Sequence, residues 1–225
     1  MSAIVICTKD ATCLPVLATS ITCYLPTYFD VYLSGSDLVL PRHRTINSAN
    51  EHSNFGDAYN AVVNQAWSDG HRDVIVANDD IVLTPYTWKV MAEDLSVLDK
   101  FGWVGARADY ARGWQNIRFR HPEDRPGTMR YDSEQKIMQT PVIAPYFAYI
   151  LKEAWVDFPP INWFSDDIQC RDIAEKGYKH YVSRAYVHHV GSQTCGLDYK
   201  KCMEDARPWI QENRPELAKI WFKTS

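Results

Sequence analysis

Short apolar runs alternate along the chain with amphipathic stretches. Ala3-Ile4-Val5-Ile6-Cys7 is a β-branched run that ends in Thr8-Lys9-Asp10, and it predicts a buried strand leading into a polar loop. Residues 11–25 suit a helix with Pro15 in its first turn. Residues 30–33 read as a second strand, and Ser34-Gly35-Ser36-Asp37 as the turn after it. Over 56–69, Ala58, Ala61, Val62, Gln65 and Ala66 recur at helical spacing, and Gly70 stops the helix. Asp73-Val74-Ile75-Val76-Ala77 is apolar after its first residue, which predicts a strand covered on both faces, and it runs directly into Asn78-Asp79-Asp80. Strand, helix, strand, helix, strand predicts an open, mostly parallel α/β sheet.

The second half is less regular. Residues 85–100 predict a helix and 103–106 a strand. The stretch 107–140 has little periodicity and several Pro and Gly, and reads as a long excursion. Strand character resumes over 141–151. Ser165 is placed to cap a helix over 166–176 that Gly177 closes. His180 to Val187 reads as a last strand, followed by His188 and His189. The tail 198–222 reads as one or two helices broken near Pro208 and Pro215. No internal repeat is found.

The chain's 225 residues are 46% hydrophobic and 23% charged, which suits a single globular domain and excludes disordered and fibrous classes. Lys and Arg number 24 against 28 Asp and Glu, a net charge of −4, so a general nucleic-acid coat is excluded. The six cysteines form no C-x-x-C pair and no zinc-like spacing with histidine. Lys9, Asp10 and Pro15 interrupt any signal-peptide core, and no run is long enough to span a membrane, so a reducing cytoplasm is expected.

The strongest chemical feature is Asn78-Asp79-Asp80 at the carboxyl end of a buried strand. Open α/β sheets bind ligands in the crevice outside those ends. Adjacent carboxylates repel unless a cation sits beside them, and their oxygens suit Mg²⁺ or Mn²⁺. The bland alternative is a turn, because Asn and Asp favour turns.

The order of the pieces resembles the nucleotide-sugar glycosyltransferases of GT-A fold, in particular their inverting, family-2-like members. Asn54-Phe55-Gly56 looks like an Asn-x-Gly turn, followed by the helix bearing Asn60, the strand 73–77 and an Asp-x-Asp-type metal motif at 78–80. Ile4 to Asp10 looks like the family's first strand and nucleotide loop, and 147–158 like its acceptor-side strand. Ser165-Asp166-Asp167 with Arg171 and Gly177-Tyr178 is similar to its base helix. His188-His189-Val190-Gly191-Ser192 looks like its closing metal segment. The turn 34–37 departs from the usual Asp-rich form.

The resemblance implies one GT-A-like domain over 1–197 with a helical tail over 198–225. Its nucleotide-sugar half is 1–106, an Arg-rich flap spans 107–140, and an acceptor half spans 141–197. It implies a metal-dependent inverting glycosyltransferase whose donor is a nucleoside-diphosphate sugar, first of all a UDP-sugar. Mn²⁺ or Mg²⁺ would be held by Asp80 and His189, with His188 as the other metal-side histidine. Thr8, Lys9, Asp37, Asn78 and Asp79 would contact the donor, as would Asn54 and Asn60 unless they hold the loop, or for Asn60 its own helix. Asp167 would be the general base, with Asp166 its competitor.

The acceptor could be a glycan, a protein, a small molecule, or a hydroxylated base in DNA as in phage enzymes, in which case the compartment is a host's cytoplasm. Six arginines and three acids between 107 and 130 give that segment a local charge of +3, suited to closing over donor phosphates or meeting a polyanion. Trp114, Tyr146 and Trp163 either stack on ligand rings or pack in the core. A nucleotidyltransferase is the competing enzyme class, but Cys7-Thr8-Lys9-Asp10-Ala11 lacks its Gly-rich phosphate loop. A non-catalytic nucleotide- or sugar-binding module is the third reading.

Overall fold

The computed structural model describes residues 2–9, 11–48, 53–117, 136–190 and 199–222. The elements in chain order are β1 (Ala3–Cys7), α1 (Leu14–Tyr24), β2 (Asp30–Ser34), β3 (Thr45–Ser48), α2 (Phe55–Ser68), β4 (Asp73–Asn78) and β5 (Ile81–Leu83). They continue with α3 (Thr87–Leu95), β6 (Phe101–Ala108), β7 (Met138–Thr140), β8 (Phe147–Leu151), α4 (Ser165–Glu175), β9 (Lys179–His189), α5 (Tyr199–Asn213) and α6 (Pro215–Trp221).

One nine-stranded sheet runs in the order β3-β2-β1-β4-β8-β6-β9-β5, with β7 also on β9. β1 to β4 pair in parallel, and β6 and β9 are parallel to each other. The reversed strand β8 separates the two groups, so β6 and β9 run in the same sense as β4. Six strands therefore end at one edge of the sheet: β1, β2, β3, β4, β6 and β9. That edge is where an α/β sheet collects its ligands.

The apolar runs behave as two-faced strands. Ile4 and Ile6 pack with Leu14, Leu17 and Ile21 of α1 on one side of the sheet. Ala3 and Val5 pack with Tyr59, Val62 and Val63 of α2 on the other. In β4, Ile75 and Ala77 share the first core while Val74 and Val76 share the second. Alternation along each strand thus fills two cores at once, giving a layer of helices on each face.

β9 carries an irregularity that matters for the site. Gly105 pairs with Val182, but Arg107 pairs with Tyr186, so β9 inserts two more residues than β6 over the same span. Such bulges bend a strand and re-aim its tip. The bulge is pinned by Asp94 of α3, a fully buried carboxylate. It accepts from the Ser183 hydroxyl at 2.7 Å and the Arg184 backbone N–H at 2.7 Å, and pairs with the Arg184 guanidinium at 2.6 Å. Beyond the bulge, β9 crosses to pair antiparallel with β5, setting Ile81 opposite His189 and Val82 opposite His188.

Several boundaries differ from the sequence reading. The strand expected over 141–151 begins only at Phe147: Pro141 and Pro145 interrupt its start, and Ala144 is held through both its N–H and its C=O by the Gln115 amide. Ser165 does not cap α4. Phe164 occupies that position with φ of 66°, and the Ser165 hydroxyl donates to the Pro159 carbonyl at 3.1 Å. β9 extends to His189, so both histidines lie within the strand. α5 continues through Pro208, anchored by buried Ala206 and Ile210, and the break falls at Arg214 before Pro215. β3, β5 and β7, each four residues or fewer, have no counterpart in the hydrophobic pattern.

The tail packs on α4 through Ile161, Ile168, Ala206, Ile210 and Leu217, and Arg214 meets Asp172 at 2.6 Å. Trp221 stacks face to face on Phe164, 4.4 Å between centroids, and so braces the left-handed residue at the start of α4. Among the described residues no helix is long and apolar enough to cross a membrane.

Gly56 opens α2 where that helix meets the loop before α4. A Cβ there would lie 1.8 Å from the Pro159 carbonyl oxygen, a backbone atom. Gly56→Ala is expected to lower unfolding free energy by about 1–3 kcal/mol, read from urea denaturation followed by circular dichroism.

Candidate active site

Four of the strand ends at the carboxyl edge bring polar side chains together. β1 ends beside Thr8, whose hydroxyl donates to Asp79 in the turn after β4. Asn78 closes β4 and its N–H donates to Tyr146 C=O at 3.0 Å. Asp80 is buried, and its Oδ1 lies 3.2 Å from Nε2 of His189 at the tip of β9. β6 runs out into Asp109, also buried, which accepts the His189 backbone N–H at 2.9 Å and pairs with His188 Nδ1 at 2.6 Å.

The His189 ring is tightly specified. Its Nδ1 lies 2.5 Å from the Tyr110 carbonyl oxygen. A carbonyl only accepts, so Nδ1 carries the proton and donates. In the neutral ring Nε2 then presents its lone pair, and it presents it to a carboxylate oxygen. Two lone pairs facing each other at 3.2 Å call for a proton or a cation between them. Tyr146 fixes the ring plane, stacking at 4.7 Å and 17°, while its own hydroxyl donates to Ala106 C=O at 2.7 Å. Imidazole whose far nitrogen is anchored to a carbonyl, beside a carboxylate, is a donor set that fits Mn²⁺ better than Mg²⁺. Among the described residues no cluster of three or more His, Cys, Asp or Glu side chains could hold a metal. Asp80 and His189 could supply two protein ligands to a hard cation that keeps phosphate oxygens and water in its shell.

His188 and His189 divide by the strand's alternation. His189 faces Asp80, whereas His188 faces Asp109 and is half exposed.

The same loop reaches the second acidic centre. Two residues after Tyr110, Arg112 straddles Asp166 at 3.2 Å and Asp167 at 2.9 Å. Consecutive Cα atoms are about 3.8 Å apart, so the Tyr110 and Arg112 backbones lie within roughly 8 Å of each other. The Asp80–His189 pair and the Asp166–Asp167 pair are thus tied to one short loop. Both aspartates sit in the first turn of α4, where the helix dipole favours negative charge. Burial nonetheless pushes the Asp166 carboxyl up to about 6, against the pull of Arg112 and with the push of Asp167.

The remaining expected donor contacts separate into two groups. Lys9 and Asp37 are exposed beyond the ends of β1 and β2. Asn54 and Asn60 are engaged by the chain itself, the loop- and helix-holding alternative of the sequence reading. Asn54 caps α2, accepting from Asp57 N–H at 2.9 Å. Asn60 clamps Phe158 through its N–H and its C=O, both at 2.8 Å. Of the three aromatic candidates Tyr146 is buried against His189, Trp163 packs beside Phe164, and Trp114 is exposed. Arg107 donates to the carbonyls of Ser183 and Lys136, so neither it nor Arg112 is a bare surface cation. Arg118, Arg120, Arg125 and Arg130, with Asp10 and the segment Gly191 to Thr194, lie outside the described residues.

Sequence reasoning missed Asp109, Tyr110 and Asp94. Asp109 follows the buried run of β6 just as Asp79 and Asp80 follow β4, so the strand-end rule could have found it. Tyr110 acts through its backbone, and Asp94 lies in a helix of ordinary composition, so neither has a side-chain signature.

No family model matches the chain, and no curated protein matches it. Solved structures do. The chain is similar to the mannosyltransferase PcManGT from Pyrobaculum calidifontis in complex with GDP-Man and Mn²⁺, at 12% identity and a TM-score of 0.65, over all of this chain and 65% of that one. It is also similar to S. aureus TarS 1–349 in complex with UDP-GlcNAc, at 15% identity and a TM-score of 0.60, over 92% of this chain and 64% of that one. The fold is that of the GT-A-type glycosyltransferases. The chain spans just under two thirds of the length of these neighbours.

The raised Asp166 carboxyl has a stability consequence. Its ordinary value is 3.8 and its folded value about 6, so between those pH values the native state holds more protons than the unfolded state. Stability contributed by this group therefore falls as pH rises from about 4 to 6. Asp166→Asn removes that fall, and should gain on the order of 2 kcal/mol over wild type between pH 4 and pH 7 in matched urea titrations.

Proposed function

We propose that the chain is a metal-dependent inverting glycosyltransferase that moves a sugar from a nucleoside-diphosphate sugar, first of all a UDP-sugar, to an acceptor hydroxyl. The observation that carries this is the lone pair of His189 Nε2 aimed at Asp80, joined through Tyr110 and Arg112 to a carboxylate pair at a helix start. The GT-A-type fold and the nucleotide-sugar ligands of the neighbours support the same reading.

Residues 1–106 take the donor in this reading and 141–197 the acceptor, with 198–225 as the helical tail. Thr8, Lys9, Asp37, Asn78 and Asp79 line the donor side. Asp80 and His189 would hold a divalent ion, whose chemistry there would be charge neutralisation of a departing diphosphate. His188, turned to Asp109, holds the β9 tip in register. Asp167 is the base: it takes the proton of the acceptor hydroxyl as that oxygen forms its bond to the anomeric carbon. The bond from that carbon to the diphosphate oxygen breaks with its electron pair on the diphosphate. Attack on the face opposite the leaving group inverts the centre. Asp167 is preferred over Asp166 because it lines an open groove. Arg112 orients both carboxylates. Among the described residues Cys7, Cys23 and Cys170 are free thiols, which suits a reducing cytoplasm.

UDP- or GDP-sugar should raise Tm only when Mn²⁺ is present, and Asp80→Ala should abolish that shift. Asp167→Asn should keep the shift and lose about a hundredfold or more in transfer. Transfer by Asp167→Asn at the wild-type rate, or a product of retained configuration, contradicts the assignment.

A further inference from the structure

A groove of about 680 Å³ runs beside α4, walled by β7 and the start of β9 on one side and by α6 on the other. Its volume is in the range of small-molecule sites. One end is Asp167 in the first turn of α4, and the other lies past Ala174 in the last turn. Asp167 and Ala174 are seven residues apart, so the groove follows the helix for roughly 10 Å at 1.5 Å per residue before continuing past its end to Tyr178 and Lys179. A ligand that fills it is extended, and reaches the base with one end.

The walls specify its chemistry. Gln139, Thr140 and Lys179 offer hydrogen-bonding groups on one side, and Ile220 and Trp221 of α6 an apolar surface on the other. Arg171 lies between, its guanidinium 3.3 Å from Glu175. A mixture of planar polar groups and an aromatic edge suits a ligand with hydroxyls on its rim and C–H faces between them. A nucleic-acid backbone needs a row of cations to neutralise its phosphates. Among the described residues of the walls, Arg171 has a carboxylate partner and Lys179 is the other cation.

We propose that this groove binds the acceptor, that the acceptor is an oligosaccharide, and that α6 is a wall of the acceptor site. This rests on the glycosyltransferase reading above. The Trp221–Phe164 stack then has two effects: it braces the start of α4, and it sets the width of the groove at the base.

The test is chemical-shift mapping on the full ¹⁵N-labelled chain with Mg²⁺ and UDP or GDP. Tetrasaccharides of glucose, N-acetylglucosamine, mannose and galactose are titrated to millimolar concentration, with inorganic polyphosphate as a separate arm. At least one tetrasaccharide should move the Trp221 indole signal together with the amides of Thr140 and Arg171. Ala174→Trp places a bulky side chain in the groove from an exposed helix position, and Lys179→Glu alters the opposite wall. Each should weaken that titration tenfold or more while the amide spectrum stays folded. Silence from all four sugars, a response to polyphosphate alone, or an unchanged titration in both variants overturns the proposal. Nucleotide-induced shifts near Thr8 and Asp80 are scored separately. If they occur while the sugar arms are silent, only this proposal falls; if they too are absent, the glycosyltransferase reading falls with it.

Discussion

The orientation of one imidazole ring governs the rest of the site. Because Tyr110 accepts the proton on Nδ1, His189 turns its basic nitrogen toward Asp80. Two acceptors facing each other call for a proton or a cation between them, and the hydrogen bond to Tyr110 leaves that position facing Asp80, where a metal would be held. Getting the ring there takes much of the second half of the fold. The bulge in β9 swings the strand tip across to β5, and Asp94 holds the bulge through three donors from two residues. Asp109 fastens the tip, and Tyr146 stacks on the ring.

The loop after β6 makes one site out of two. It touches His189 at Tyr110 and both carboxylates of α4 at Arg112. A displacement at either centre is felt at the other through a segment of three residues. The start of α4 is further constrained from outside by the C-terminal helices, through Trp221 on Phe164 and Arg214 on Asp172. The tail thus belongs to the site's support, and its mixed polar and apolar faces follow from packing on α4 while leaving one wall open.

Most of the first half was legible from periodicity. β1 and β4 are continuous apolar runs because both their faces are covered, and α2 has the spacing of a helix with one buried side. Asp79 and Asp80 were legible because strand ends at an open sheet's carboxyl edge are where ligands bind. The tail's division at Pro208 was misread because a proline in a solvent-facing helix turn removes only one backbone bond, which the burial of Ala206 and Ile210 offsets. The strands β3, β5 and β7 are too short to carry alternation and exist only through their neighbours. Asn54 and Asn60 have the same side chain as a ligand-binding asparagine, and only tertiary contacts reveal them as cap and clamp. The contribution of Tyr110 is a carbonyl, which every residue has.

The central claim is that His189, through Nε2, is a metal ligand and His188 is not. Electron paramagnetic resonance on the Mn²⁺- and UDP-loaded chain, with ¹⁵N-histidine in place of natural abundance, reads this directly. A hyperfine coupling to one imidazole nitrogen that vanishes in His189→Gln and persists in His188→Gln is the predicted result. A coupling that survives in His189→Gln, or bound Mn²⁺ with no nitrogen coupling in the wild type, contradicts it.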